Sequence, residues 1–379
     1  MTEKKALINE NTISVPSGQS KSTPRLIWDI GTAYDLFVSL DVLHYPEGFG
    51  LRPSWAAGVR SRLSIEDRKT LEEAKNVIGI PYHWIHSLPE PKDGATALWA
   101  LRQITSNQRL YNLSYVSNMP GQAQNSLRQI SERGSWTQQD FEILVELQKK
   151  EKHKKVTREE ISRMLDIWAN PGEFGERYLQ SLQFYYQAFF AEEEQHIAPA
   201  LKTALLNAQR SAEKLSLDEL LEDLSQGLHL PKYLGVQELV LAPSYWSTPL
   251  VYLGEINPDR SIILFGVRPR NVSIEQGELV PDALLRVLKA IDDPTRLRIL
   301  RYLVCEQLTP AEISRRLRLR APTVTHHLGK LRLAGLVHIT VEEHNERRYN
   351  ARIEAIKELN DMLEDFLQCI KVDTSKGNQ

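Results

Sequence analysis

The side chains of this 379-residue chain that could do chemistry fall into a metal-like set and a basic set. Glu193 and His196 stand three apart, the spacing at which a carboxylate and an imidazole share a helical face in di-iron proteins. Such a centre needs a second Glu-x-x-His and further glutamates. None stands at a helical position, so EEEQHI reads as a solvated acidic face. His83 and His86 in PYHWIHS could share a helical face as metal ligands, but without a third donor they read as aromatic packing with Tyr82 and Trp84. Cys305 and Cys369, the two cysteines, cannot form a disulfide framework or a four-thiolate site. Cys305 lies near the end of an apolar helix and reads as core. G-x-S-x-G, P-loop, G-x-G-x-x-G and C-x-x-C patterns are all absent. No catalytic residue, metal site or cofactor is therefore assigned.

The basic set is better focused. The chain carries a net charge of −2, but residues 281–371 hold 16 basic and 13 acidic residues. Between Arg296 and Arg332 the bias sharpens: Arg296, Arg298, Arg301, Arg315, Arg316, Arg318, Arg320, Lys330 and Arg332 face only Glu306 and Glu312. A local excess of this size is the electrostatic footprint of a nucleic-acid partner, hidden by the whole-chain balance.

The elements that position these residues are helical. Leu284, Leu285, Val287 and Leu288 give an apolar face to a helix from Asp282 to Ile291, and Pro294 opens the next. Thr309-Pro310-Ala311-Glu312 is a helix start with a capping box. Pro322 begins a fourth helix, PTVTHHLGKLRLAG, ended by Gly335. VHITV and RRYNA then read as a hairpin, followed by an amphipathic helix from about Ile353 to Ile370. Two short helices joined by a tight turn, then a hairpin, make a winged helix-turn-helix. At 100° per residue Val324, Leu328 and Leu331 point inward, Pro322, His326, Gly329 and Lys330 outward, with Thr323 and Thr325 on the flanks. Arg320 stands at the helix N-terminus, where a cation opposes the helix dipole; a phosphate contact accounts for that cost.

Upstream, residues 1–23 read as a disordered arm and 372–379 as a disordered tail. Residues 24–234 read as a helical sensor or assembly domain, with Thr157–Glu160 and Ser216–Glu219 as capping boxes. Residues 235–270 hold three short apolar runs that predict a small antiparallel sheet, or a hairpin plus one strand, before a polar linker. The fold class is mainly α with small β elements: a helical N-terminal domain with a small antiparallel sheet, then a C-terminal winged helix-turn-helix at 281–371. No apolar run approaches the ~18 residues of a membrane span. The N-terminal residues lack a secretory h-region, which points to the cytoplasm.

The segment from LLRVLKAIDDPTRLRILRYL through APTVTHHLGKLRLAGLV to ERRYNAR resembles the ArsR family of winged-helix repressors. The resemblance covers about a quarter of the chain. It implies a homodimer packed through the first and last helices of this domain, bound to a roughly palindromic double-stranded DNA operator and repressing transcription. The DNA-binding set is then Arg320, Pro322, Thr323, Thr325, His326, Lys330, Arg332, Arg347 and Arg348. Many members carry Ser or Gln where Arg320 and Ala321 stand, and the wing tip here, Glu342 to Glu346, is acidic. Metal-sensing members use Cys in the helix before the recognition helix, or His and Asp pairs in the last helix. AEISRRLRL has no thiol and the last helix has no His, so metal sensing is not expected. WDIGTAYDLF resembles an extension found on a subset of such regulators. Its aromatics either line a pocket for an unknown small-molecule effector or form the core of an assembly scaffold. The competing readings are an enzyme, or a protein-interaction domain, carrying a winged-helix appendage.

Overall fold

The computed structural model describes residues 23–114, 119–150, 157–231, 233, 236–274, 278–342 and 346–368. All but the last residue of the expected arm, the expected tail, Cys369 and wing-tip residues 343–345 lie outside these. Two units emerge. Unit 1 comprises the chain up to Ser225 together with Leu230–Arg268; unit 2 comprises Gln226–His229 and the chain from Pro269.

Unit 1 is helical, as expected, through α1 (Thr32–His44), α2 (Pro53–Ser61), α3 (Ile65–Val77), α4 (Tyr82–His86), α5 (Gly94–Gln103) and α6 (Ser106–Leu113). It continues with α7 (Gly121–Arg133), α8 (Gln138–Lys150), α9 (Arg158–Ala169), α10 (Pro171–Tyr185), α11 (Ala191–Ala212) and α12 (Leu217–Leu224). The two predicted capping boxes open α9 and α12. A π-helical turn, Tyr186–Phe190, joins α10 to α11.

The strands differ from expectation in connection. They are β1 (Arg25–Trp28), β2 (Leu228–His229), β3 (Glu238–Ser244), β4 (Tyr252–Asn257) and β5 (Arg260–Gly266). Unit 1 holds a four-stranded sheet in the order β1-β3-β5-β4. Only the β4–β5 hairpin is antiparallel; β1 pairs with β3, and β3 with β5, in parallel. The sheet is therefore mixed, a hairpin plus further strands, and it belongs to unit 1 rather than standing apart. The physical sign lies in β3 and β5, whose runs Leu239–Ala242 and Ile262–Phe265 are buried without a break. Parallel strands covered on both faces carry continuous apolar runs, whereas an antiparallel sheet with one wet face alternates.

Two buried carboxylates tie the helices to this sheet. Asp29, just after β1, accepts from Tyr34 Oη at 2.8 Å, His86 Nδ1 at 2.7 Å and Lys92 Nζ at 2.7 Å. Burial raises its pKa, but the bonds from His86 and Lys92 outweigh that and hold it below the ordinary carboxylate range. The other ring nitrogen of His86, Nε2, lies 3.2 Å from Arg260 Nη1, so the imidazole bridges Asp29 and that arginine. Asp35, in the first turn of α1, accepts from Ser244 Oγ at 2.8 Å and from the Trp246 and Tyr245 amides at 2.9 and 3.2 Å. Here burial dominates those bonds and pushes the carboxyl up to about 6. Elsewhere α10 lies against α6 so closely that a Cβ at Gly175 would come 2.1 Å from the Ser106 carbonyl oxygen.

Unit 2 follows the predicted order: α13 (Asp282–Ile291), α14 (Pro294–Cys305), α15 (Pro310–Leu317), α16 (Ala321–Leu333), β6 (Val337–Val341), β7 (Arg347–Ala351) and α17 (Glu354–Leu367). Its core joins Leu284, Ile299, Leu303, Ile313, Leu328 and Leu359. Cys305 corrects the sequence reading: it is exposed in the last turn of α14, on the side away from Ile299 and Leu303. The unexpected element is β2. It pairs in parallel with β6 and turns the two-stranded wing into a three-stranded sheet, β2-β6-β7. Among the described residues no helix is long and apolar enough to cross a membrane.

Two outcomes test this packing. Because the folded pKa of Asp35 lies above its unfolded value, the folded state binds that proton more tightly, and its contribution to stability grows as pH falls from about 6 toward 4. Denaturant titrations at pH 7 and pH 4.5 should show wild type gaining about 2 kcal/mol relative to Asp35→Asn, which cannot titrate. Gly175→Ala should destabilise unit 1 by roughly 1–3 kcal/mol, since backbone rather than a flexible side chain blocks the new methyl. An unchanged melting temperature would contradict that packing.

Candidate nucleic-acid interface

The interface grows from two helix starts. Thr309 Oγ1 accepts from the Glu312 amide while the Glu312 carboxylate accepts from the Thr309 amide, so α15 begins with its free donors paired. The helix ends at Arg318, whose φ of 55° places a non-glycine residue in the left-handed region. That residue turns the chain sharply into Arg320, the N-cap of α16, which makes no side-chain cap bond.

The predicted faces of α16 are observed. Val324, Leu328 and Leu331 are fully buried. Arg320, Pro322, Thr323, His326 and Lys330 are exposed, and a Cβ at Gly329 would meet nothing within 4 Å. Packing therefore does not require glycine at 329; its effect is to leave the outer surface bare where another molecule can approach. Thr325 is half-buried and donates its hydroxyl to the Ala321 carbonyl at 3.0 Å, so that proton is already committed.

Three of the nine clustered cations are already engaged, two by internal carbonyls and one in a surface ion pair. Arg296 donates to the Ala290 and Lys289 carbonyls at 2.6 and 2.7 Å, at the C-terminus of α13 where a cation is favoured. Arg316 is paired with Glu306. Arg332, predicted to contact DNA, is 3% exposed. Burial lowers its guanidinium pKa to about 10, and it donates to the Gln226 carbonyl at 2.6 Å. It is removed from the contact set because its face of α16 turns toward β2. The other six, Arg298, Arg301, Arg315, Arg318, Arg320 and Lys330, are exposed.

The wing arginines are half-exposed and engaged. Arg348 lies 3.1 Å from Glu342 and 3.8 Å from Glu312, and Arg347 bonds the Tyr349 side chain. A phosphate at Arg348 would have to compete with two carboxylates. Arg315 and Arg318, absent from the predicted contact set, join Arg320 around the helix-turn-helix corner. The sequence count contained them, but only the fold separates surface cations from those turned inward.

The metal-like residues of unit 1 do not converge. His83 Nε2 bonds the Asn112 carbonyl at 2.8 Å, while His86 serves Asp29. Glu193 is raised by burial, with His196 opposing that shift. Its neighbour Glu194 is more than a solvated charge, since it accepts from the Gly94 amide at 2.7 Å and Tyr186 Oη at 3.0 Å. Among the described residues, no three His, Cys, Asp or Glu side chains form a group that could hold a metal.

Comparison with known proteins agrees with this geometry at the level of the domain. Residues 291–340 match the family model described as a helix-turn-helix domain. Among solved structures, reduced HlyU from Vibrio cholerae N16961 shares 29% identity over 23% of this chain and 90% of that chain, with a TM-score of 0.18. No curated protein matches the chain. Unit 2 carries a winged helix-turn-helix whose exposed helix face and surrounding cations are those of a DNA-binding domain.

Proposed function

We propose that this protein is a sequence-specific, double-stranded-DNA-binding transcriptional regulator of the ArsR type, acting in the cytoplasm as a homodimeric repressor. The observation that carries the reading is the division of the basic cluster. Arg296 and Arg332 are turned to internal carbonyls and Arg316 is held in a surface ion pair with Glu306, while six cations stand exposed, among them Arg315, Arg318, Arg320 and Lys330 on the helix-turn-helix, whose second helix has a small and polar outer face. In this reading α16 enters the major groove, Thr323 and His326 face base edges, and Arg320 and Lys330 hold phosphates. Arg315 and Arg318 add to the phosphate grip.

Exposed apolar side chains support the dimer. Val304 on α14 is 53% exposed, and Ile356, Phe366 and Leu367 on α17 are 45, 39 and 71% exposed. Such side chains mark a partner face, and a second copy would cover them; they lie on the last helix, α17, and on α14, whereas the first helix, α13, offers no large exposed apolar side chain. In this reading unit 1 senses a small molecule or mediates assembly; an open groove beside α3, α10 and the π-helical turn, lined by Arg62, Asp67, Arg177, Ser181 and Phe184, is the surface a ligand screen would address first.

Selection of duplexes from genomic fragments, followed by footprinting, should yield a protected, roughly palindromic site. On that site Arg320→Ala and Lys330→Ala should each weaken binding about tenfold and lower the slope of log K against log salt by about one for each phosphate no longer held. Unchanged affinity and slope would remove this face from the interface. Ile356→Asp combined with Leu367→Asp should convert the dimer to a monomer in sedimentation equilibrium while leaving unit 2 folded. A double variant that stays dimeric would place the interface elsewhere.

A further inference from the structure

The route of the chain through unit 2 is unusual. It leaves unit 1 at Ser225, lays four residues, Gln226–His229, into the wing sheet, and returns to unit 1 at Leu230. These residues make specific bonds. Leu228 and His229 register against Ile339 and Thr340, and the Ile339 amide donates to the Gly227 carbonyl at 2.8 Å. Leu228 is 1% exposed. Gln226 and Gly227 both have positive φ, 56° and 92°, so the strap enters through a sharp turn that few sequences allow. A Cβ at Gly227 would come 2.8 Å from His338 Nδ1 on β6. The Gln226 carbonyl is the acceptor for Arg332, in the last turn of α16.

We propose that Gln226–His229 is a positioning strap that sets the recognition helix for DNA. A lone hairpin exposes the unpaired edge of β6, and a third strand fixes its register and twist. A guanidinium buried as fully as that of Arg332 must have an acceptor, and the carbonyl it finds belongs to the strap. Undocking therefore opens the β6 edge and takes the Gln226 acceptor away from Arg332 beneath α16 at once. Arg332 thus acts on DNA affinity through position, without touching DNA.

This inference rests on the DNA-binding reading, and the test separates the two. Full-length wild type, Gly227→Val, Arg332→Met and Arg332→Lys are compared by hydrogen exchange and by titration with a selected duplex. Gly227→Val should speed exchange of the Ile339 amide at least tenfold. Gly227→Val and Arg332→Met should each weaken duplex binding about tenfold, with unchanged stoichiometry at saturation and an unchanged salt slope, since the phosphate-holding cations are all kept. Arg332→Lys, which keeps a donor for Gln226, should retain more affinity than Arg332→Met. A slope lowered by about one in Arg332→Met would make Arg332 a phosphate ligand and overturn the proposal. So would faster Ile339 exchange with duplex affinity within twofold of wild type, or exchange that does not change. A wild type that binds no duplex would overturn the DNA-binding reading and the strap's role with it.

Discussion

A guanidinium cannot be taken out of water without an acceptor, and the placing of Arg332 organises unit 2 around that constraint. Its bond to the Gln226 carbonyl joins the end of α16 to a segment more than a hundred residues earlier in the chain. The helix that presents Thr323, His326 and Lys330 outward is anchored on its inner face by Val324, Leu328 and Leu331, and at its end by this charge. Apolar burial fixes which face of α16 looks outward but tolerates small rotations and slides. A charge-assisted bond at 2.6 Å tolerates much less. The combination gives the helix a defined setting, which a base-reading surface needs more than it needs stability.

Unit 1 solves a related problem in its sheet. Strands from opposite ends of a long helical region meet in β1 and β3, and nothing local brings them together. Asp29 and Asp35 supply specificity at the junction, the first through side-chain donors and the second through two amides and a hydroxyl. Their environments push them in opposite directions, because Lys92 supplies a countercharge to Asp29 while Asp35 has only dipoles. One carboxylate is comfortable when ionised and the other carries a cost at neutral pH, so the sheet junction is marked by a dependence on pH that apolar packing alone would not produce.

Unit 2 was legible in the sequence wherever a local rule decides. Thr309 and Glu312 cap α15 because the box needs only four consecutive residues, and Pro294, Pro310 and Gly335 punctuate the helices by backbone geometry alone. The outward face of α16 followed from helical periodicity. What local rules could not show were pairings distant in sequence: β1 with β3, β2 with β6, and Arg332 with Gln226. Two residues such as Leu228 and His229 carry too little pattern to announce a strand, and an arginine at the end of a basic helix looks like a DNA ligand until its carbonyl partner is seen. Cys305 misled for a simpler reason: its helix is apolar on more than one side, and the second side, with Leu297 and Val304, is exposed.

That second side bears on how the cation count works. Between Arg296 and Arg332 six cations stand exposed outside the Arg316–Glu306 ion pair, a modest supply, and a phosphate grip of that size weakens steeply as salt rises. The wing adds little, since Glu342 and Glu312 already hold Arg348. A single copy would thus bind duplex weakly and with little discrimination. In the proposed dimer, pairing two copies through α14 and α17 would double the contacts at one entropic cost of association and let two recognition helices read one site. On that proposal the exposed apolar side chains of those helices and the sparing distribution of charge are two sides of one arrangement, in which DNA affinity depends on assembly as well as on the recognition helix.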